Sequence, residues 1–255
     1  MPANRVEFLG CPVDNLSMED AVATLERFIE TREPHQIAVI NANKLWQMEQ
    51  DPRLATAVRG AALFIPEKAV VIGSRLLGLE VHHHIGGVML LKRFLSRAEE
   101  RGYRLYFFGA QASVLNRVVS NLRSIYEKLQ IVGWHHGFFT SEEDLAIRKE
   151  IAELRPDALF VALGSPKQEF WIAQHLPELG VPVCMGVGGS FDVVAGIKRD
   201  APDWIRALAM EWLFRLVQDP RNLWRRYAIT MPWLLRKVLS ELTRKWLPGF
   251  EQGHG

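Results

Sequence analysis

Polar and small residues follow four apolar runs of this chain, at the points where the runs end. If these runs are neighbouring parallel strands, their carboxyl ends meet at one edge of a sheet, where loop N–H groups and helix N-termini bind phosphate. The glycines could equally serve only to make tight strand-to-helix turns, but several such loops together favour a nucleotide or sugar-phosphate site. The four ends are Asn41 and Asn43; Pro66, Glu67 and Lys68; residues 164–169; and residues 186–192.

The motifs of several other enzyme classes are absent. No GxGxxG follows a strand, which argues against a dinucleotide site, and there is neither a GxxxxGK[ST] loop nor a GxSxG elbow. No Asp-x-Asp pair ends a strand, so the usual carboxylate clamp for a metal-bound nucleotide is missing. The run from His82 to His84 has no HExxH or Cys partner, so we expect a loop or strand edge rather than a metal site. A sugar-nucleotide enzyme built on this chain would neutralise its leaving diphosphate with basic residues and helix N-termini.

Glu67 is the carboxylate at a predicted strand end that could serve acid–base chemistry. In a closing pocket it could accept the proton of a sugar hydroxyl. From residue types alone, a surface-loop acid paired with Lys68 is the simpler interpretation. Glu169, in the segment PKQE, could equally cap the N-terminus of the helix FWIAQHL.

Strands that alternate with helices must position these residues. Ser17 and Ser141 are predicted N-caps, because acidic residues and an amphipathic pattern follow each of them. The alternation predicts an α/β fold, in which helices cover both faces of a parallel sheet. We assign residues 1–200 to this body, with subdomains of about 1–100 and 101–200.

The strand pattern stops after about residue 200, and residues 201–255 read as helices broken near Pro220 and Pro232. From Trp204 onward there are nine basic and four acidic residues, a net +5, whereas the whole chain carries +2. Five of the eight tryptophans also lie there. Such a segment can be a charged helical face, a nucleic-acid surface or an interfacial membrane element. Tryptophan interleaved with arginine favours the membrane headgroup region, and no nucleic-acid module is apparent.

Length and composition exclude several classes of protein. With 255 residues, of which 48% are hydrophobic, the chain can bury a large core, which excludes a mini-protein, a collagen-like chain and a disordered tail. Its two cysteines, Cys11 and Cys184, form no CxxC and indicate a reduced, cytosolic compartment. We expect no secretory signal, because the first residues contain no basic region followed by an apolar stretch. We also expect no spanning helix, because no run of about 18 uncharged apolar residues occurs.

Three long motifs resemble the WecG/TagA/CpsF glycosyltransferases (carbohydrate-enzyme family 26). They are INANKLWQM (40–48), ALGSPKQEFWIAQH (162–175) and the segment from GVGGSFD to NLWRRY (186–227). The resemblance implies Rossmann-like parallel sheets in two subdomains, with a helical C-terminal appendage that completes the active site and contacts the membrane. It implies an inverting, metal-independent transfer, without cofactor, from a UDP-sugar to a polyprenyl-diphosphate-linked saccharide. The protein would be peripheral on the inner, cytoplasmic face of the cell membrane; no nucleic-acid partner is expected, and self-association into a homo-oligomer is compatible with it.

The resemblance also assigns roles to residues. The polar pair Asn41 and Asn43 falls at the catalytic centre, and Glu67 occupies the place of the family's base, in a Pro-Glu-Lys loop that usually reads Pro-Asp-Gly. The family's Thr-Gly-x-Asp segment falls on residues 85–88, where the acid is missing. Predicted substrate-binding residues are Gly109, Gln111, Gly164, Pro166, Lys167, Gln168, Glu169, Gly188, Gly189, Ser190, Phe191 and Asp192. Predicted contacts to diphosphate or anionic lipid are Arg215, Arg221, Arg225 and Arg226.

Two other functions fit part of the pattern. An epimerase or dehydrogenase acting on a nucleotide-sugar would need the dinucleotide fingerprint that the sequence lacks. A non-catalytic membrane scaffold with a glycosyltransferase fold is compatible with the altered Pro-Glu-Lys loop and the missing acid. UDP release in the presence of a lipid-linked acceptor distinguishes an enzyme from this scaffold.

Overall fold

The computed structural model describes residues 4–202, 204–205 and 210–246. The strands are β1 (Arg5–Phe8), β2 (Cys11–Asp14), β3 (His35–Ile40), β4 (Leu63–Pro66), β5 (Arg104–Gly109), β6 (Gln130–His135), β7 (Ala158–Ala162) and β8 (Val183–Gly186). The first helices are α1 (Met18–Thr31), α2 (Ala42–Gln50), α3 (Pro52–Arg59), α4 (Lys68–Leu76) and α5 (Gly87–Arg101). The later ones are α6 (Ala112–Ile125), α7 (Ser141–Leu154), α8 (Lys167–Leu179), α9 (Ser190–Val194), α10 (Glu211–Gln218) and α11 (Pro220–Trp246).

Six strands form one parallel sheet in the order β4-β3-β8-β7-β5-β6, and β1 and β2 form a separate antiparallel hairpin. Strands from both halves of the chain meet where β3 pairs with β8, with Ile37 opposite Met185. All five residues of β7 are buried, as expected for a strand covered on both faces. The predicted α/β class with a parallel sheet and helical C-terminal segment is confirmed.

Side chains of the central strands alternate between two apolar layers. Phe107 and Phe160 point to one face, where Phe94 of α5 packs against Phe160. Tyr106 and Phe108 point to the other face, where Trp171 of α8 packs against Phe108. This two-sided core holds the strand ends rigidly, so the loops that follow them have a fixed frame.

The predicted helix starts are largely confirmed. Ser17 caps α1 and forms a reciprocal capping box with Asp20. For α7 the predicted cap, Ser141, is wrong by one residue. Thr140 has the extended backbone of an N-cap, its hydroxyl accepts from the Glu143 N–H at 3.3 Å, and the Glu143 carboxylate accepts from the Thr140 N–H at 2.7 Å. Because Glu143 stands at the third helical position counted from Thr140, its carboxylate completes a capping box with Thr140 and not with Ser141.

The C-terminal segment is helical where it is described. The break predicted near Pro220 is confirmed, since α10 ends at Gln218 and α11 begins at Pro220. The break predicted at Pro232 is wrong, because α11 continues through it. Pro232 lies on the exposed side of the helix, where the carbonyl of Ala228 that loses its partner remains accessible to water.

Helix α11 packs on the body. Trp233 and Lys237 both donate to the carboxylate of Glu49 at the end of α2, and Lys245 Nζ donates to the Leu77 carbonyl at 2.6 Å. Leu234 and Val238 are buried against the same body. These contacts fix the position of α11 beside the strand ends.

Both cysteines are buried and free, and we expect them to resist alkylation in the folded protein. Burial raises the pKa of the Cys11 thiol to about 12 and raises that of Cys184 as well. Since the thiolate is the nucleophile, iodoacetamide near pH 8 should label neither residue until denaturant is added. Mass spectrometry after a timed exposure tests this, and rapid labelling of the native protein would contradict the burial of these side chains.

Candidate active site

Two adjacent cavities lie at the carboxyl edge of the sheet. The first, which we call the polar cavity, has a volume of about 190 Å³ and lies at the ends of β3, β7 and β8. Loop glycines and Lys44, Ser165, Gln168 and Ser190 contribute to its walls. The second, the apolar groove, has a volume of about 270 Å³ and lies between α4 and α11. Each volume is below the roughly 300–1,000 Å³ of a whole ligand pocket, so each cavity suits one part of a substrate.

Five residues line both cavities, and we call this shared wall the junction. The junction combines a carboxylate, two amides and two guanidinium groups, from the ends of β3 and β4 and from the C-terminal helices. Its members are Asn41, Asn43, Glu67, Arg215 and Arg226. The three residues predicted to be catalytic thus lie together, and two of the four predicted arginines join them.

Glu67 is held at the junction by its backbone. Its N–H donates to the Ile40 carbonyl at 2.9 Å, which ties the end of β4 to the end of β3. Its own carbonyl accepts from Val70 N–H at 2.9 Å, so Glu67 is the N-cap of α4, yet its side chain makes no cap hydrogen bond. The half-buried carboxylate therefore faces the two cavities instead of the helix end.

The two asparagines each use one end of the amide within the protein. Asn41 Oδ1 accepts from Lys44 N–H at 2.9 Å and caps α2, whereas Asn43 Nδ2 donates to Gln47 Oε1 at 3.2 Å. The Asn41 amide nitrogen and the Asn43 amide oxygen take part in neither of these bonds and are the ends most open to a ligand.

Gln168 and Glu169 form a buried relay between α2, α8 and the loop after β8. Glu169 Oε1 pairs with Lys44 Nζ and accepts from Gln168 Nε2 at 2.9 Å, and Gln168 Oε1 accepts from Gly188 N–H at 3.1 Å. Both ends of the Gln168 amide are therefore bonded to the protein, although the side chain lines the polar cavity. A Cβ at Gly186 would lie 2.5 Å from Gln168 Nε2, so a larger residue there would displace the Gln168 side chain and disturb the relay.

The pair Lys44–Glu169 should be a large contributor to stability, because both side chains are almost fully buried. Breaking such a pair leaves an uncompensated charge, so Glu169→Gln is expected to lower the free energy of unfolding by about 3–5 kcal/mol. Urea denaturation measures this change. Lys167→Met, at an exposed position two residues earlier, is the control and should stay within about 0.5 kcal/mol. An unchanged midpoint for Glu169→Gln would show that the pair is not buried in this way.

Other predicted substrate contacts divide between the cavity and the framework. Gly164, Gly188, Gly189 and Ser190 line the polar cavity. Two other residues have structural partners instead: Phe191 is buried against Phe107, with ring centroids 5.8 Å apart, and Asp192 pairs with Lys198 at 2.9 Å. Outside the lining of both cavities lie Gly109, Gln111, Pro166, Lys167, Glu169, Phe191, Asp192, Arg221 and Arg225.

Gly109 has a tight structural role at the end of β5. Its φ is +113°, and a Cβ there would lie 2.5 Å from the backbone of Ala162. The strand-to-helix turn alone therefore requires this glycine. Gly109 is therefore explained by the turn it makes, without a contact to a substrate.

Arg226 presents an unpartnered donor at the junction. Its Nε is buried and makes no hydrogen bond, and its guanidinium lies 5.6 Å from the centre of the Tyr227 ring. A buried guanidinium N–H without an acceptor is costly, and an anionic oxygen satisfies it best. The geometry therefore suits a phosphate or carboxylate of a bound molecule.

Sequence reasoning missed Lys44 and Tyr227 as site residues. Burial raises the pKa of Tyr227, against the lowering effect of Arg226 and Arg215, so the phenol remains a hydrogen-bond donor. Its ring contacts Trp212, with centroids 5.8 Å apart, which joins α10 to α11. In the sequence, Tyr227 directly follows Arg226 in the segment WRRYA, which was the one hint that it belongs to the site. The sequence did not show which face of the helix is buried.

The fold and the junction together form a candidate site in which a polar and an apolar compartment share a carboxylate and two arginines. A profile of the glycosyl transferase WecG/TagA/CpsF family matches residues 6–247. The chain therefore belongs to this family of glycosyltransferases.

Curated relatives cover nearly the whole chain. The chain is 29% identical to N-acetylglucosaminyldiphosphoundecaprenol N-acetyl-beta-D-mannosaminyltransferase of Bacillus subtilis, over 95% of each protein. It is 28% identical to the enzyme of that name from Bacillus spizizenii, over 94% of this chain and 90% of the relative. The same identity holds for the one from Staphylococcus aureus, over 88% and 89%. The shared name describes transfer of an N-acetylmannosaminyl group onto N-acetylglucosaminyl diphosphoundecaprenol.

Proposed function

We propose that this glycosyltransferase moves a sugar from a UDP-sugar to a saccharide carried on a polyprenyl diphosphate, with inversion at the anomeric carbon. The single observation that carries the proposal is the junction, where Glu67 and two arginines line both a polar cavity and an apolar groove. Such a wall suits a reaction between a water-soluble donor and a lipid-linked acceptor. The named acceptor of the relatives, an N-acetylglucosaminyl diphosphoundecaprenol, has this chemistry.

The donor is assigned to the polar cavity. Gly164 and Gly189 leave open space there, since a Cβ at either would meet no atom within 4 Å. Backbone of this kind allows a diphosphate to approach closely, and the relay through Gln168 holds the Gly188 loop in place. Val88 forms part of the same wall, at the position where the family resemblance expects an acid, so an apolar side chain faces the donor here.

The reaction is a direct displacement at the junction. Glu67 takes the proton of an acceptor hydroxyl while that oxygen forms a bond to the anomeric carbon of the donor. The bond from this carbon to the UDP oxygen breaks, and UDP leaves with the electron pair. A single displacement inverts the configuration.

Arginine balances the negative charge in this proposal, and no metal is required. Arg215 and Arg226 stand at the junction, where guanidinium groups can pair with diphosphate oxygens in a forked geometry. Within the described part of the chain, no group of three His, Cys, Asp or Glu side chains is arranged to hold an ion. Because these arginines supply the positive charge in the proposed reaction, activity should persist in a chelator.

The proposed location is peripheral, on the inner face of the cell membrane. In residues 4–202, 204–205 and 210–246, no helix has the length and apolar character needed to cross a bilayer. Helix α11 instead exposes Trp224, Leu235 and Leu239, with the exposed Arg221 and Arg225 near its start. Exposed indole, leucine and arginine together favour the interface of an anionic bilayer.

A panel of UDP- and GDP-sugars tests the proposal. Each is incubated with a polyprenyl-diphosphate saccharide in detergent and EDTA, and released nucleotide is measured with and without acceptor. We expect acceptor-dependent release of UDP from one UDP-sugar. UDP binding without release across the panel would favour the non-catalytic scaffold, and a lack of nucleotide binding would contradict the assignment of the polar cavity.

A further inference from the structure

The apolar groove has a floor and an exposed rim of hydrocarbon side chains. Leu234 and Val238 of α11 are buried at its floor. At its rim, Ile72 and Leu76 of α4 and Leu235 of α11 are 43%, 56% and 57% exposed. Apolar side chains that converge on one exposed groove indicate a ligand or an interface rather than ordinary surface.

The groove is continuous with the reaction centre. Its inner end is the junction, where the buried Arg226 Nε lacks an acceptor. From the polar cavity through the junction to the groove, the environment changes from polar to charged to apolar. This order matches a donor sugar, then the reacting hydroxyl and acceptor diphosphate, and then hydrocarbon attached to that diphosphate.

We infer that the groove binds the first isoprenoid units of the acceptor, directly beyond its diphosphate. The inference rests on the proposed function and specifies which part of the lipid the protein recognises. The groove, at about 270 Å³, is smaller than the roughly 300–1,000 Å³ of a site that encloses a drug-sized ligand. We therefore assign it to the units nearest the diphosphate, about two of five carbons each, and the remainder of a long chain stays outside.

Soluble prenyl diphosphates test this inference without any membrane or sugar transfer. Calorimetric titration compares inorganic diphosphate with dimethylallyl, geranyl and farnesyl diphosphate. Because burial of hydrocarbon drives this step, affinity should rise at least about tenfold from the inorganic ion to the geranyl compound. It should then change by less than about threefold to the farnesyl compound, whose third unit outgrows the groove. An affinity independent of chain length would overturn the inference.

Two leucines on α11 provide a matched pair of variants. Leu235 lines the groove, whereas Leu239 lies one turn further along, is 51% exposed and is not part of the lining. Leu235→Gln should weaken geranyl diphosphate binding about five- to tenfold and leave inorganic diphosphate unchanged. Leu239→Gln should stay within about twofold of wild type. Both positions are exposed, so both variants should fold, which circular dichroism verifies.

Equal effects of the two variants on geranyl diphosphate binding, or an effect confined to vesicle binding, would overturn the inference. Either result would instead indicate that α11 adheres to lipid without a specific prenyl site. The readout also separates this inference from the proposed function. Chain-length-dependent binding without turnover of any UDP-sugar would retain the groove and reject the transferase reaction. Turnover of a UDP-sugar with no dependence on the length of the prenyl chain would support the transferase reaction and reject the groove as a prenyl site.

Discussion

Replacing Glu67 by glutamine is expected to lower kcat by about 10²–10⁴-fold, the range that general acid–base groups contribute. Glutamine keeps the size of the side chain but cannot accept the proton of the attacking hydroxyl. The backbone bonds that place residue 67 between β3 and β4 do not involve the side chain and should persist. UDP binding, measured by calorimetry, should remain within about threefold of wild type, since the donor pocket is intact.

Glu67→Asp is the control that keeps the charge. It shortens the arm by one methylene, so a carboxylate remains but sits further from the hydroxyl, and an activity between those of wild type and Glu67→Gln is expected. Near wild-type turnover in Glu67→Gln would remove Glu67 from the role of base, and loss of UDP binding would show that the substitution disturbs the cavity itself.

Arg226→Ala is the second substitution with a large expected effect, a loss of about 10²–10³-fold in kcat/KM. The guanidinium lines both cavities, and its Nε is buried without an acceptor, so it is placed to stabilise diphosphate charge. Removing it leaves that charge unbalanced in a site from which water is partly excluded. Steady-state kinetics with a saccharide linked to a short, soluble prenyl diphosphate as acceptor measures the effect free of membrane binding.

Arg225 is the matched control, because it is adjacent in sequence, exposed, and outside the lining of both cavities. Arg225→Ala should change kcat/KM for the soluble acceptor by less than about threefold. Equal losses in the two variants would mean that the net charge of α11, and not one positioned guanidinium, supports the reaction.

The framework of the site was predictable because its signals are local. Apolar runs gave the parallel strands, and the residues after them, including Asn41, Asn43 and Glu67, lie at one edge by the geometry of a parallel sheet. Apart from the loop or strand edge expected at 82–84, no element was predicted between residues 68 and 101, where Lys68–Leu76 form α4 and Gly87–Arg101 form α5. That omission left one wall of the apolar groove unforeseen.

Contacts between distant segments were not predictable. Lys44 and Glu169 are 125 positions apart, and only the fold brings them together in a buried pair. The four arginines predicted to bind diphosphate could not be separated by composition, because α11 carries apolar residues on both its buried and its exposed faces. Buried positions at Thr230, Leu234 and Val238 define the inward face, and Arg226 falls one turn before them.

The configuration of the transferred sugar tests the central claim most directly. Wild-type protein is supplied with the active UDP-sugar, whose anomeric configuration is known, and the product on the polyprenyl-diphosphate saccharide is analysed by NMR. A single displacement assisted by Glu67 at the junction predicts the opposite anomeric configuration in the product. Retention of the donor's configuration would contradict direct displacement and, with it, the proposed role of the junction.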